Sequence, residues 1–171
     1  MLELTKKDCR LSSANPRAEL HGEDTELACD LHLIVILPNT SLDSFSKSLR
    51  KTLFRKATKA DADMVDEAES GDSEYLSEIR YPELGTFSWE YEMEDCEAII
   101  HHPIEEDENI NLEGCKFNKL KIKPMSGGSV TLWFRLICHP STENMGRLCE
   151  LIQSDVTLSL SCPSPKQKSL D

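Results

Sequence analysis

The sequence predicts an α+β fold: a largely antiparallel β-sheet, arranged as a sandwich or an open barrel-like sheet, with two amphipathic helices. Three observations carry that expectation. Residues 26–37 alternate, placing Leu27, Cys29, Leu31, Leu33, Val35 and Leu37 on one face. Residues 116–138 read as a tight hairpin around Ser126-Gly127-Gly128. Apolar residues recur at helical spacing in 41–55 and again after Pro140. Hairpins mixed with isolated helices argue for α+β rather than a parallel α/β sheet.

The elements follow in order. Residues 1–24 show no clear period, and Asn15-Pro16 and Gly22-Glu23-Asp24 read as turns, so an irregular N-terminal segment is expected. Residues 25–162 form a single domain. Its first strand, 26–37, has a second face that begins polar with Asp30 and His32 and ends with Ile34 and Ile36. That pattern suits a strand passing beneath a second layer. Pro38 stops it. Asn39-Thr40-Ser41 supplies N-cap candidates for a helix over about 41–55, with Leu42, Phe45, Leu49 and Leu53 inward and Lys47, Arg50, Lys51, Arg55 and Lys56 outward. An acidic loop occupies 57–74, and a short strand 76–81 ends at Pro82. Phe87, Trp89, Tyr91 and Met93 alternate with polar residues, and Glu94-Asp95 reads as a turn into a partner strand at 96–102. A second acidic loop spans 105–109.

The hairpin fixes its own register. A three-residue Gly-containing loop sets Leu120 opposite Phe134 and Ile122 opposite Leu132 on one face. The other face pairs Lys123 with Thr131, Lys121 with Trp133, Lys119 with Arg135 and Phe117 with Ile137. A slip of one residue would place lysines against the apolar set. After Pro140, Ser141-Thr142 caps a helix marked by Met145, Leu148, Cys149 and Ile152. A last strand covers 156–162, and 163–171 is a flexible tail.

Composition bounds the function. The chain has 171 residues, 31 acidic and 19 basic side chains, and a net charge of −12. The asymmetry is local: residues 61–110 hold 18 of the acids and a single basic residue, Arg80. The rest is mildly basic. No apolar run approaches the roughly 18 residues of a membrane span, and the first residues lack an apolar signal core. A cytoplasmic protein is expected, in the host cytoplasm if phage-encoded, with no membrane partner. Seven cysteines, at 9, 29, 96, 115, 138, 149 and 162, show no Cys-x-x-Cys spacing. They read as reduced, mostly core thiols.

Two constellations carry chemistry. Lys119, Lys121, Lys123, Trp133 and Arg135 share one face of the hairpin, with cations for phosphates and an indole for stacking a base. The plainer reading is a solvated face whose lysine stems cover the tryptophan. The acids Asp61, Asp63, Asp66, Glu67, Glu105, Glu106 and Asp107 offer carboxylates to a basic partner, or simply keep the surface soluble. Asp61–Glu69 lacks the glycine a calcium loop needs at its tight turn. Neighbouring His101 and His102 point to opposite faces of a strand. No phosphate-cradling glycine loop, nucleophile elbow or zinc-protease helix is present, so neither an enzyme nor a cofactor is expected.

Asn15-Pro16-Arg17-Ala18-Glu19-Leu20-His21-Gly22-Glu23-Asp24, the strand after it, Leu49-Arg50 with Leu53-Phe54-Arg55-Lys56, the lysine-rich Gly-Gly hairpin and Leu151-Ile152-Gln153 resemble a group of small phage and prophage proteins. The resemblance covers most of residues 15–162. Such proteins accompany recombination and replication genes, which implies phage DNA metabolism or manipulation of the host. It assigns no residue-level site. The expectation is a non-enzymatic accessory protein binding single-stranded DNA or a recombination partner. The alternative is an inhibitor of a host defence or nuclease complex, of the anti-CRISPR or anti-restriction type, that mimics nucleic acid and engages a host or phage protein with a basic surface.

Overall fold

A computed structural model of the chain describes residues 2–57 and 75–163. The acidic stretch with Asp61, Asp63, Asp66 and Glu67, and the tail 164–171, lie outside the described residues. The architecture is a closed, six-stranded antiparallel barrel with few helices. Its long strands are β1 (Glu3–His21), β2 (Asp24–Pro38), β6 (Met93–His101), β7 (Ile110–Met125), β8 (Ser129–Cys138) and β9 (Ser154–Ser161). Three two-residue strands lie between them: β3 (Phe54–Arg55), β4 (Glu78–Ile79) and β5 (Phe87–Ser88). The helices are α1 (Leu49–Leu53) and α2 (Thr142–Glu150).

Around the barrel the order is β7, β6, β9, β1, β2, β8, and the β7–β8 pairing closes the ring. β6, β7 and β8 are consecutive neighbours, and β9 returns through α2 to lie beside β6, a Greek key. Closure removes exposed sheet edges. Alternation fills the interior: Leu31, Leu33, Leu120, Ile122, Leu132, Leu136 and Leu158 are all essentially inaccessible. Leu42, Leu49, Leu53 and Phe54, from the segment after β2, join this core, and α2 adds Met145 and Leu148 to it.

Bulges curl the long strands enough to close. Lys6, Asp95 and Lys119 hold left-handed backbones, with φ of 45°, 55° and 53°. Each sits where a ladder slips: Leu4/Lys7 in β1, Met93/Cys96 in β6 and Asn118/Lys121 in β7.

Several expectations are corrected. The N-terminal segment 1–24 is not irregular: Glu3–His21 is β1, paired with both β2 and β9. Its alternation is hidden by the bulges and by polar residues on its outward side. The helix over 41–55 is a 3-10 turn at Asn39–Ser44 followed by the five-residue α1. Glu94-Asp95 is a bulge rather than a turn, so β5 and β6 run along the same edge of β7 instead of forming a hairpin. Cys96 and Cys162 form a disulfide, which corrects the reading of seven reduced thiols. Cys149 is exposed, whereas Cys9, Cys29, Cys115 and Cys138 are buried and free. Burial pushes the Cys9 and Cys115 thiols up to about 12. α2, in contrast, begins as expected, with Ser141 Oγ accepting from the Asn144 amide at 3.2 Å.

Candidate nucleic-acid interface

The β7–β8 turn anchors the site. Gly127 and Gly128 adopt φ of 87° and 80°, which L side chains rarely tolerate. The turn is fastened from three directions. The Gly127 amide donates to Ser77 O at 3.0 Å, Tyr75 Oη donates to Gly127 O at 2.8 Å, and the Asn39 amide donates to Gly128 O at 2.9 Å. The register then runs as the sequence implies through Lys123 opposite Thr131, Ile122 opposite Leu132 and Lys121 opposite Trp133.

Beyond Lys121 the expected register fails. The bulge at Lys119 shifts the ladder by one residue, so Arg135 faces Asn118 and Phe117 faces Leu136. Lys119 therefore has no partner on β8, and Arg135 is drawn elsewhere. Its Nη1 reaches Asp30 Oδ2 at 2.9 Å and its Nε donates to Asn118 Oδ1 at 2.8 Å. Arg17 bridges Asp30 and Glu19, and Glu19 meets His139 Nε2 at 3.1 Å. Hydrogen bonds from His139 and Arg17 hold the Glu19 carboxyl below its usual range. Hydrogen bonds to Glu19 and Asp30 raise Arg17. The Arg135 side chain is 17% exposed and tied into this network. It positions β2 against β8 and is not an open phosphate ligand, which corrects its place in the expected set.

Lys119, Lys121 and Lys123 are exposed and make no ion pair among the described residues. Trp133 is half-buried between them and β2, where its register partner is Ile34. Ile36 faces Thr131 and is 66% exposed. The sequence pattern placed Ile34 and Ile36 beneath a second layer. They instead lie on the barrel's outer wall, with no layer over Ile36. The interface is thus a strip across three strands: a row of Lys121, Trp133 and Ile34, beside a row in which Lys123 and Ile36 are exposed and Thr131 between them is buried.

Two cations of the basic side of 41–55 are already paired. Arg50 pairs with Asp43 at 3.2 Å and Arg55 with Glu78 at 2.7 Å. Of the acidic candidates, Glu105, Glu106 and Asp107 lie at an exposed 3-10 turn, Glu106–Glu108. His102 Nδ1 accepts from the Glu105 amide at 3.1 Å, and Glu106 meets Lys6 at 3.8 Å. Glu108 pairs with Arg147 at 3.3 Å. Among the described residues no three His, Cys, Asp or Glu side chains converge on a metal position. No helix among them is long and apolar enough to cross a membrane. No known protein family, curated protein or solved structure matches this chain.

Proposed function

We propose that the protein is a non-enzymatic, phage-type accessory protein of DNA replication or recombination that contacts single-stranded nucleic acid through the outer strip of β7, β8 and β2. One observation carries the reading: Lys121 stands directly across from Trp133, flanked by the exposed Ile36 and by lysines free of ion pairs among the described residues. The accessible part of an indole on the outer face of a sheet stacks any base, and neighbouring ammonium groups neutralise the phosphates between bases. Such a surface discriminates little between sequences, as a replication accessory requires. Fluorescence anisotropy with a labelled oligonucleotide at low salt tests it. Trp133→Ala and Lys121→Glu should each weaken binding about tenfold or more, since base stacking is worth ~1–3 kcal/mol. No binding at low salt by the unaltered protein would sink the reading.

A second reading, inhibition of a host nuclease or defence complex by mimicry, draws on the ordered acidic turn. His102 holds the backbone at Glu105, so the turn carries its exposed carboxylates on an ordered backbone, as a mimic of phosphates needs. It predicts salt-sensitive competition with DNA for a basic host protein. That competition should be lost when Glu105, Glu106 and Asp107 become amides.

A further inference from the structure

On the side of β7 away from β8, β5 and β6 do not form a continuous ladder. Phe87 and Ser88 pair with Ile122 and Lys121, and pairing resumes only at Met93 opposite Phe117. Between these points residues 89–92 face the shorter stretch 118–120. The left-handed backbone at Lys119 marks a bulge in β7, and the four residues opposite carry one more than the three they face. The gap is a cavity of about 650 Å³ lined by Trp89, Glu90, Tyr91, Glu92, Lys119 and Lys121. That size matches small-molecule sites, which span roughly 300–1,000 Å³.

Its walls are fixed. Tyr91 packs edge-on against Phe45 at 5.1 Å and Phe117 at 5.8 Å, and its hydroxyl accepts from the Leu2 amide at 3.4 Å. The Trp89 amide donates to Leu120 O at 2.9 Å, which pins the start of the gap. The charges are sorted as well. Glu92 is drawn to Lys116 at 3.6 Å, while Glu90, Lys119 and Lys121 make no ion pair among the described residues. The cleft therefore offers aromatic side chains, two ammonium groups and one carboxylate acceptor.

We propose that this cleft is a nucleotide subsite that takes a base against Trp89 and Tyr91, with its phosphate on Lys119 and Lys121. Glu90 then accepts from an exocyclic amino group, as a carboxylate does from cytosine. The proposal deepens the single-strand reading above and rests on it through Lys121. That lysine faces Trp133 on one side and the cleft on the other. A strand crossing β8 places a phosphate at Lys121 and a neighbouring base at the cleft, two strand spacings of ~4.8 Å from Trp133. A free mononucleotide has the same chemistry.

The protein's two tryptophans, Trp89 and Trp133, separate these cases. In the Trp133→Phe protein, Trp89 is the sole reporter. Its emission should change saturably with deoxycytidine monophosphate and stay unmoved by inorganic phosphate. Lys119→Gly should weaken that response about tenfold. Glycine suits the left-handed backbone at this position, and an unchanged melting temperature of the variant separates lost binding from lost folding. The Trp89→Phe protein reports on Trp133 with an oligonucleotide. If Trp133 responds to the oligonucleotide while Trp89 ignores both mononucleotide and oligonucleotide, the subsite falls and the strand reading stands. If Trp89 responds to the mononucleotide and Trp133 ignores the oligonucleotide, the cleft is a site for free nucleotide and the strand reading falls. Silence from both overturns both.

Discussion

The wall formed by β2 and the wall formed by β6 stand opposite each other in the six-stranded ring. Inward they are alike. β2 contributes Cys29, Leu31, Leu33, Val35 and Leu37, and β6 contributes Met93, Cys96, Ala98 and Ile100. Outward they diverge. β2 and its neighbour β8 show Ile34, Ile36 and Trp133 beside lysines of β7, with Asp30 neutralised by Arg17 and Arg135. β6 shows Glu94, Asp95 and Glu97, all exposed. Burial dictates every second residue of a strand and leaves the other half open. The acidic bias of residues 61–110 is therefore in part the outer half of a folded wall. The apolar strip on the opposite wall has no such packing reason, and that asymmetry supports its candidacy as a binding surface.

The largest difference to test is covalent. Each wall places two cysteines at matching register. Cys96 on β6 is bonded to Cys162, 66 residues away, at the end of β9. Cys29 and Cys138 face each other across β2 and β8 as thiols, with Cys138 Sγ donating to Cys29 O at 3.5 Å. Replacing Cys96 and Cys162 together by alanine should cost about 4 kcal/mol in urea unfolding, through the loop the bond closes. Cys29→Ala should cost less than half as much, roughly 1–2 kcal/mol for a small buried group. An unchanged midpoint on reduction of the native protein would show that the β6 wall has no covalent tie. The comparison would then rest on charge alone.

Next in size is the polar network on the β2 side. Asp30 is the only carboxylate shown touching both Arg17 and Arg135 among the described residues, and its side chain is 16% exposed. Asp30→Asn removes the charge between two cations and should cost about 2 kcal/mol, for largely but not wholly buried pairs. Glu97→Gln on the opposite wall removes an exposed acid and should stay within about 0.5 kcal/mol. Thermal melts of the two variants give the contrast directly. Equal shifts would mean that the network contributes no more than surface charge does.

How much of this was legible in the sequence depended on whether an element kept its period. The inward alternation of 26–37, the hairpin turn at Gly127-Gly128 with its register as far as Lys121, and the Ser141 cap were each local patterns with a local cause, and they appear as read. β1 was not legible. Two slips in its ladder with β9 and β2 break the alternation, and its left-handed residue is a lysine rather than a glycine. The Lys119 bulge hid in the same way and displaced Arg135 from its expected partner. Of the site, the Lys121–Trp133 pair was readable because register follows from the turn. The exposure of Ile36 and the half-burial of Ile34 were not, because an isoleucine on the second face of a strand implies a covering layer. The cleft beside Trp89 needed the gap between β5 and β6, which no local pattern announces.

The smallest effect concerns the base of the β1–β2 hairpin and its sign with pH. Glu19 receives hydrogen bonds from His139 and Arg17, which hold its carboxyl below the ordinary value of 4.5. A carboxyl whose folded value lies below its unfolded one favours folding above the unfolded value. That stabilisation is lost as pH falls through the folded value. The unaltered protein should therefore melt higher than Glu19→Gln at neutral pH, and the gap should close as pH drops below 4.5. Melting temperatures across that range measure it, with Glu97→Gln on the opposite wall as the control that lacks these donors. A gap that stays constant into acid would mean that the Glu19 contacts act through shape rather than charge. The β2 side would then match the β6 wall in its response to acid.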